Sequence, residues 1–257
     1  MLELMSPDTQ WLWAAHGKHP SAKDYFSIGR QFPLASDFSE WIRRSYPPLA
    51  ERGKQAIRGY SWRFWARGRG RDELACGLLR DSSDSFGRPY PLLIIGTGAL
   101  PSWEEHWEML PMVCERVWCR IELVSARGFC ALSGIEEEIG KTRSPDPLWP
   151  DPGFIPGGTE GEAPTARISP PALERLSEAA RNLSVEEMGS IVLGSDGSYD
   201  SHLLVMHLNS VLKSTLDKAP NTLFIGGTNN ESSLVFFRRP MRPVDFLTLW
   251  GIHPGND

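Results

Sequence analysis

The pattern of hydrophobic, small and polar positions predicts four strands in the N-terminal part of the chain. Bulky and small residues alternate over Trp11–His16, and over Tyr60–Ala66 every second residue is apolar, so one face of that strand is strongly apolar. Leu74–Leu79 and Tyr90–Ile95 are apolar or small on both faces, which is typical of inner strands covered on two sides. We expect the last three strands to form a meander.

Two segments have the apolar spacing of helices. Asp37-Phe38-Ser39-Glu40 has the pattern of a capping box, and the apolar residues around it predict a helix that bends at Pro47-Pro48. Ser102-Trp103-Glu104-Glu105 is a second such pattern, followed by a helix with a kink at Pro111. The buried face of this second helix is predicted to carry Trp107, Leu110, Cys114, Val117 and Ile121.

The composition of the chain changes abruptly at Thr142. Residues 142–170 are rich in Pro, Gly and polar residues with few aliphatic ones, which predicts a linker or a long surface loop. Helical patterns follow at Ala172–Asn182 and Ser201–Leu216. We therefore expect an N-terminal α/β domain over residues 1–141, then the linker. The C-terminal part, 171–257, either stands alone or packs on the same core.

The C-terminal part is predicted to end in a hairpin and a short helix. Thr222–Ile225 and Leu234–Phe237 are its strands, the turn lies near Asn229-Asn230, and the helix runs over Pro243–Trp250. All elements together predict an α+β fold, an antiparallel β-sheet flanked by helices with a smaller C-terminal α/β part. Profilin-like and longin-like modules share this layering, a likeness of fold that carries no function.

Composition and charge narrow the class of protein. The 257 residues include 27 basic and 32 acidic side chains, a net charge of −5, which argues against nucleic-acid binding. Forty per cent of the residues are hydrophobic, enough for a real core. The longest apolar run is too short to span a membrane, and Met1–Gln10 lack the basic group of a secretory signal. We expect a cytoplasmic protein without direct membrane insertion.

Metal and cofactor motifs are incomplete in this sequence. The four cysteines form no Cys-x-x-Cys pair, and His202 and His207 are spaced so that they fall on different helix faces. Gly96-Thr97-Gly98 follows a strand but lacks both the third glycine of a dinucleotide site and the lysine of a phosphate loop. We predict no metal, no cofactor and no catalytic residue.

Two polar segments admit both a functional and a structural interpretation. Arginines 63, 67, 69 and 71, interleaved with aromatic residues, fit either a phosphate-binding surface or a solvated hairpin tip, and the acidic net charge favours the tip. In Asp81–Pro91, Asp84 or Arg88 is expected to fasten the loop, through backbone hydrogen bonds or a mutual ion pair, ahead of the next strand.

Three groups of residues resemble the motifs of one bacterial family. Gly17-Lys18-x-Pro20 and Asp24-Tyr25 resemble the opening Gly-Lys-x-Pro-x-x-Gly-Asp-Phe of the TagF/ImpM family of type VI secretion system-associated proteins. Trp62-Arg63-Phe64-Trp65, followed by Ser82, Asp84, Gly87, Arg88, Tyr90 and Pro91, is similar to its central motif. Pro240-Met241-Arg242-Pro243 with Phe246 is similar to its closing segment.

The resemblance implies a non-catalytic accessory protein that represses type VI secretion after translation. In the family this occurs through contact with a forkhead-associated scaffold protein, so the expected partner is a secretion component. Exposed aromatic and arginine residues dominate the energetics of such contacts. The candidate interaction residues taken from the motifs are Gly17, Lys18, Pro20, Asp24, Tyr25, Trp62, Arg63, Trp65, Ser82, Asp84, Gly87, Arg88 and Pro91.

Two other classes of function stay open at this stage. An enzyme could assemble a scattered polar site around Lys18, Asp24, Asp84 and Arg88. A closed pocket joining these side chains, with perturbed pKa values, would favour an enzyme, and a shallow surface would favour a binding protein. A structural subunit of the secretion apparatus is the third possibility, and it would co-purify stoichiometrically with the assembled baseplate.

Overall fold

The structure is a computed structural model that describes residues 11–51, 59–146, 149, 169–183, 186–194 and 201–251, without the side chains of residues 201 and 202. The opening residues 1–10, which bear on the secretory signal, lie outside the described residues. So does most of the predicted linker 142–170 and the side chain of His202.

A single open antiparallel sheet runs through the described part of the chain. Its strands are β1 (Leu12–Gly17), β2 (Phe26–Gly29), β3 (Ser61–Arg67), β4 (Glu73–Arg80), β5 (Leu92–Ala99), β6 (Met188–Gly194), β7 (Thr222–Thr228) and β8 (Glu231–Phe237). Their spatial order is β2-β1-β5-β4-β3-β7-β8-β6, and every neighbouring pair is antiparallel. β2 and β6 are therefore the edge strands.

Helices cover both faces of this sheet. They are α1 (Pro33–Ser45), α2 (Pro47–Glu51), α3 (Leu110–Ala126), α4 (Leu132–Gly140), α5 (Pro170–Asn182), α6 (Ser201–Thr215) and α7 (Pro243–Leu249). The first two and α7 share one hydrophobic core with the sheet, and α3 to α6 share the other. The predicted α+β class is confirmed, with the antiparallel sheet as the middle of three layers.

The period-2 pattern of β3 sends its side chains into both cores. Trp62 and Phe64 join the core beneath α1, and Trp65 is fully buried in the core beneath α3. The sequence predicts only one strongly apolar face for this strand. The second face is nevertheless covered, because Trp65 packs against Trp103, with ring centroids 5.6 Å apart, and Arg63 is paired with carboxylates of α3.

Several predicted elements are confirmed. β3, β4 and β5 form the meander, and β4 and β5 are inner strands of the sheet. The C-terminal hairpin turns at Asn229-Asn230, and the last helix begins at Pro243 as expected. The chain also breaks between α1 and α2 immediately before Pro47.

Both predicted capping boxes are wrong. α1 begins four residues earlier than the first box, at Pro33, whose fixed φ and missing N–H suit the first helical turn. In the second box, Ser102 has a φ of +62°, and the helix starts only after a short 3-10 turn over Trp107–Met109. Pro111 consequently lies in the first turn of α3, where a missing donor is harmless, and it makes no kink.

Three elements have no counterpart in the sequence prediction. β2 has only four residues, α4 is short, and β6 has glycine at two of its seven positions. Each segment is too short or too poor in β-branched and aromatic residues for its periodicity to stand out. These three elements are therefore stabilised mainly by their contacts with the rest of the fold.

Pairing between β3 and β7 connects the C-terminal hairpin to the N-terminal meander. The register places Phe64 opposite Phe224 and Trp65 opposite Leu223. The domain boundaries 1–141, 142–170 and 171–257 stay predictions. Among the described helices, none combines the length and the apolarity needed to cross a lipid bilayer.

Candidate functional site

Two loops meet at one end of the sheet, the loop 18–25 between β1 and β2 and the loop 81–91 between β4 and β5. We call residues 18–25 and 81–91 together the loop surface. Gly17 ends β1 with a φ of +122°, and a Cβ atom there would lie 2.0 Å from the carbonyl oxygen of Pro91. Only glycine fits, so this residue brings the start of one loop against the end of the other.

The buried carboxylate of Asp84 is the centre of the loop surface. Lys18 Nζ lies 3.0 Å from Oδ2, and Arg88 Nε donates to the same oxygen at 2.7 Å. The backbone N–H groups of Phe86 and Arg88 both donate to Oδ1 at 3.0 Å. The Asp84 side chain has no solvent exposure, and Lys18 is only 13% exposed. All of these donors hold the loop around a charged but fully partnered group.

These contacts govern the ionisation of Asp84. Desolvation alone would raise its pKa, but hydrogen bonds from Lys18, from the backbone and side chain of Arg88 and from the Phe86 N–H outweigh it and lower the pKa to about 2. The carboxylate is therefore ionised at neutral pH. A carboxylate so low in pKa and so fully hydrogen-bonded is poorly suited to accept a substrate proton.

Arg88 fastens the loop 81–91 to the loop 18–25. Its Nη2 donates to the backbone oxygen of Lys23 at 2.7 Å and lies 3.4 Å from Asp24 Oδ2. The Ser85 N–H adds a hydrogen bond of 2.8 Å to the Ala22 oxygen. The structural interpretation of this segment is confirmed, since an Asp84–Arg88 ion pair and backbone hydrogen bonds fix the loop.

Aromatic side chains stand exposed beside this ionic network. Phe86 is 70% exposed and Tyr25 is 45% exposed. The guanidinium carbon of Arg88 lies 5.5 Å from the centre of the Phe86 ring, and Tyr25 packs edge-on against Tyr90 at 5.5 Å. Two of the four exposed large hydrophobic residues in the described part of the chain thus lie on the loop surface, the other two being Leu123 and Val192.

Neighbouring titratable groups are held in their neutral forms. Burial raises the pKa values of Tyr46 and Tyr90 to about 12, so both phenols stay protonated at neutral pH. Desolvation lowers the pKa values of His16 and His19. Tyr46 donates to the Pro89 oxygen at 3.0 Å, and His19 Nδ1 accepts from the Ser21 N–H at 3.1 Å. Tyr46 and His19 are thus hydrogen-bonded to the backbone of the two loops.

Most sequence-predicted residues are brought together here. Pro20 is exposed on the first loop, the Ser82 oxygen accepts the Tyr90 N–H, and Gly87 supplies a φ of +75° inside the Asp84–Arg88 turn. The loop surface contains Lys18, Pro20, Asp24, Tyr25, Ser82, Asp84, Gly87, Arg88 and Pro91, and Gly17 adjoins it.

Trp62, Arg63 and Trp65 belong to β3 and are not part of the loop surface. Both tryptophans are buried, on opposite faces of β3. Arg63 binds Glu115 and Glu122 of α3, in each case at 2.7 Å, and its guanidinium carbon lies 5.8 Å from the Trp118 ring centre. This part of the motif packs the sheet against its helix.

Arg67 and Arg69, near the β3–β4 turn, form ion pairs with different partners. Arg67 pairs with Glu104 and lies over the Trp103 ring, whereas Arg69 pairs with Asp37 of α1. Their partners belong to different elements, and Arg63 is paired with α3. The structure therefore gives no support to a shared phosphate-binding surface made by these arginines.

Sequence reasoning did not single out Phe86, the most exposed aromatic residue of the loop surface. A signal for it was available, because a large aromatic residue between Ser85 and Gly87 in a tight polar turn has no room to reach a core. Within the described residues, no group of three or more His, Cys, Asp or Glu side chains is placed to hold a metal ion.

The fold and the loop surface define an α+β protein that presents a charged, aromatic surface at one end of a helix-covered sheet. Residues 14–129, which include the whole loop surface, match the model of the TagF N-terminal domain, described as type VI secretion system-associated. This segment therefore resembles a TagF N-terminal domain, and the match associates the protein with type VI secretion. The resemblance inferred from the motifs is thereby confirmed.

A solved structure offers a weaker similarity. It is the crystal structure of PA0076 from Pseudomonas aeruginosa PAO1, 19% identical to this chain, with a TM-score of 0.40. The match covers 52% of this chain and 64% of the solved chain, so the chain spans less than two thirds of that protein. A comparison with curated proteins gives no match.

Proposed function

We propose that this protein is a non-catalytic regulator that represses type VI secretion after translation, in the cytoplasm, by binding a component of the secretion system. The TagF N-terminal domain supports the link to secretion. The resemblance between the motifs and the TagF/ImpM family makes a forkhead-associated scaffold protein the proposed partner. The loop surface is the proposed docking site.

The observation that carries this proposal is the combination of a saturated ionic network with exposed aromatic rings. Asp84 has its charge and both oxygens engaged, which leaves little capacity for acid–base chemistry. Phe86 and Arg88 remain accessible, at 70% and 52% exposure. Rigid loops that display an aromatic ring and a guanidinium group provide the residue types that dominate protein interfaces.

Secretion measurements in a deletion strain test the proposal. Loss of the gene is expected to raise the amount of type VI components in the culture medium, and the wild-type gene should restore repression. A Phe86→Ser variant should fail to restore it while accumulating to the wild-type level. Leu123→Ser, which changes an equally exposed residue on α3, is the control. Unchanged secretion in the deletion strain would contradict the role.

Two biochemical measurements separate this proposal from the other two classes of function. Stoichiometric co-purification with assembled baseplate would instead favour a structural subunit. Turnover of a small molecule by the purified protein, lost on changing Lys18, would favour the enzyme. A regulator should give transient, substoichiometric capture of its partner and no turnover.

A further inference from the structure

A groove of about 570 Å³ lies on the α3 side of the molecule, away from the loops 18–25 and 81–91. One wall is a stripe of α3 and the other is the segment 141–146 that follows α4. The α3 stripe consists of Met112, Val113, Arg116, Val117 and Arg120, and the second wall consists of residues Lys141 to Asp146. The groove therefore combines an aliphatic floor with a largely cationic rim.

The rim concentrates positive charge in a protein whose net charge is −5. Arg116 and Arg120 are one helical turn apart on α3, an arrangement in which like charges repel. Lys141 and Arg143 face them from the other wall, and Asp146 is the single acidic residue of the lining. Arg120 and Lys141 already have carboxylate partners on α4, so an anionic ligand would add counter-charge chiefly at Arg116 and Arg143.

Two of the four cations are held in place by α4, and two are available. Glu138 forms ion pairs with Arg120 and Lys141, and Glu137 pairs with Lys141. These contacts hold the two walls of the groove together. Arg116 and Arg143 are exposed and have no ion pair within the residues that the structure describes. They can each offer a guanidinium fork to a carboxylate.

We propose that this groove binds an acidic peptide segment of a protein partner, with an aliphatic side chain on the floor and carboxylates on Arg116 and Arg143. An inorganic anion has no apolar group that could contact the aliphatic floor, so a peptide fits the groove better. The negative net charge disfavours long polyanions such as nucleic acids, so binding must come from short-range contacts. A short acidic peptide with an apolar side chain can contact the floor and pair with the arginines at the same time. This site is separate from the loop surface, and its test does not depend on the function proposed above.

Fluorescence anisotropy with the 257-residue chain tests the site. The probe is a fluorescein-labelled peptide, Glu-Glu-Leu-Glu-Glu-Leu-Glu, and the control peptide has Gln at every Glu. We expect Arg116→Gln with Arg143→Gln to weaken binding of the acidic peptide about tenfold or more, as for two lost charge-assisted contacts. Arg69→Gln with Arg71→Gln removes the same charge from the β3–β4 turn and should leave the affinity unchanged. Both pairs of residues are exposed, so folding should survive.

A second variant tests the floor of the groove. Met112→Ser keeps every charge and should weaken the same peptide several-fold, because it removes apolar contact area. The proposal would be overturned if the acidic peptide did not bind, or if the Gln peptide bound with equal affinity. It would also be overturned if the groove and turn variants lost affinity equally, or if Met112→Ser left the affinity unchanged. Binding to phosphatidylglycerol vesicles, with no peptide binding, would assign the groove to a membrane surface instead.

Discussion

Lys18 and Asp84 form an ion pair of 3.0 Å between the two loops of the loop surface, and both side chains are largely withdrawn from water. Such a pair is a poor source of net stability, because desolvation of the charges offsets much of their attraction. It does fix the geometry of the two loops, since loss of Asp84 would leave the buried Lys18 ammonium without its 3.0 Å partner and 4.0 Å from Asp24. Its role here is to set the position of Phe86, Arg88 and Tyr25 relative to one another.

Replacing Phe86 with Ala should weaken partner binding without unfolding the protein. The ring is 70% exposed, so its loss removes little core packing, whereas a hot-spot aromatic contributes about 2 kcal/mol or more to binding, roughly 30-fold in Kd. Calorimetry with the proposed partner, a purified forkhead-associated scaffold protein, measures the effect. Leu123→Ala, at 68% exposure on α3, is the matched control. If Phe86→Ala and Leu123→Ala bound the partner with equal affinity, Phe86 would not be part of the interface.

Gly17→Ala should destabilise the protein by roughly 2–4 kcal/mol. The added Cβ would collide with the Pro91 oxygen at 2.0 Å, and a φ of +122° is unfavourable for any L-residue with a side chain. Urea denaturation measures the change. Gly128→Ala has no heavy atom within 4 Å of the new Cβ and should shift stability by less than about 0.5 kcal/mol. If Gly17→Ala left the free energy of unfolding unchanged, the two loops would not approach each other as described.

The stabilising effect of Asp84 should disappear in acid. Because its pKa in the folded protein is lowered to about 2 from an ordinary 3.8, the contribution is complete above about pH 4 and declines as the pH falls towards 2. Wild type should therefore be more stable than Asp84→Asn at neutral pH, and the difference should narrow over this interval. Thermal melting points at several pH values give the comparison.

Asp24→Asn serves as the control for that experiment. It removes the same unit of charge from a side chain that is 68% exposed on the same surface. If Asp84→Asn and Asp24→Asn follow the same pH profile, net charge rather than the buried network is responsible.

Arg63→Ala should lower the free energy of unfolding by roughly 1–3 kcal/mol and leave partner affinity unchanged. The change removes the cation that pairs with Glu115 and Glu122, which are 22% and 34% exposed, and it removes the contact with Trp118. Arg69→Ala breaks an ion pair of two exposed side chains and should cost no more than about 1 kcal/mol. Loss of partner binding in a stable Arg63→Ala protein would show that the residue acts in recognition and not in packing.

The strand prediction was accurate where side chains alternate strongly, and it failed where tertiary contacts decide. Trp62 and Phe64 point to one core because a pleated strand allows no other arrangement. The capping pattern at Asp37 predicted a helix start that Pro33 takes instead, since the fixed proline φ already begins the helix upstream. β6 was missed because its two glycines weaken the local strand pattern, whereas pairing with β8 and burial of Ile191 and Leu193 stabilise the strand.

The sequence alone determined the α+β class, the meander, the C-terminal hairpin and the family motifs, because periodicity and turn residues act over a few positions and need no partner. It also indicated that Asp84 or Arg88 would fasten a loop. Only the tertiary structure decided that Lys18 reaches Asp84, that Trp62 and Trp65 are buried in different cores, and that Phe86 is displayed. These facts depend on contacts between segments distant in the chain, and such contacts leave no local pattern in a single sequence.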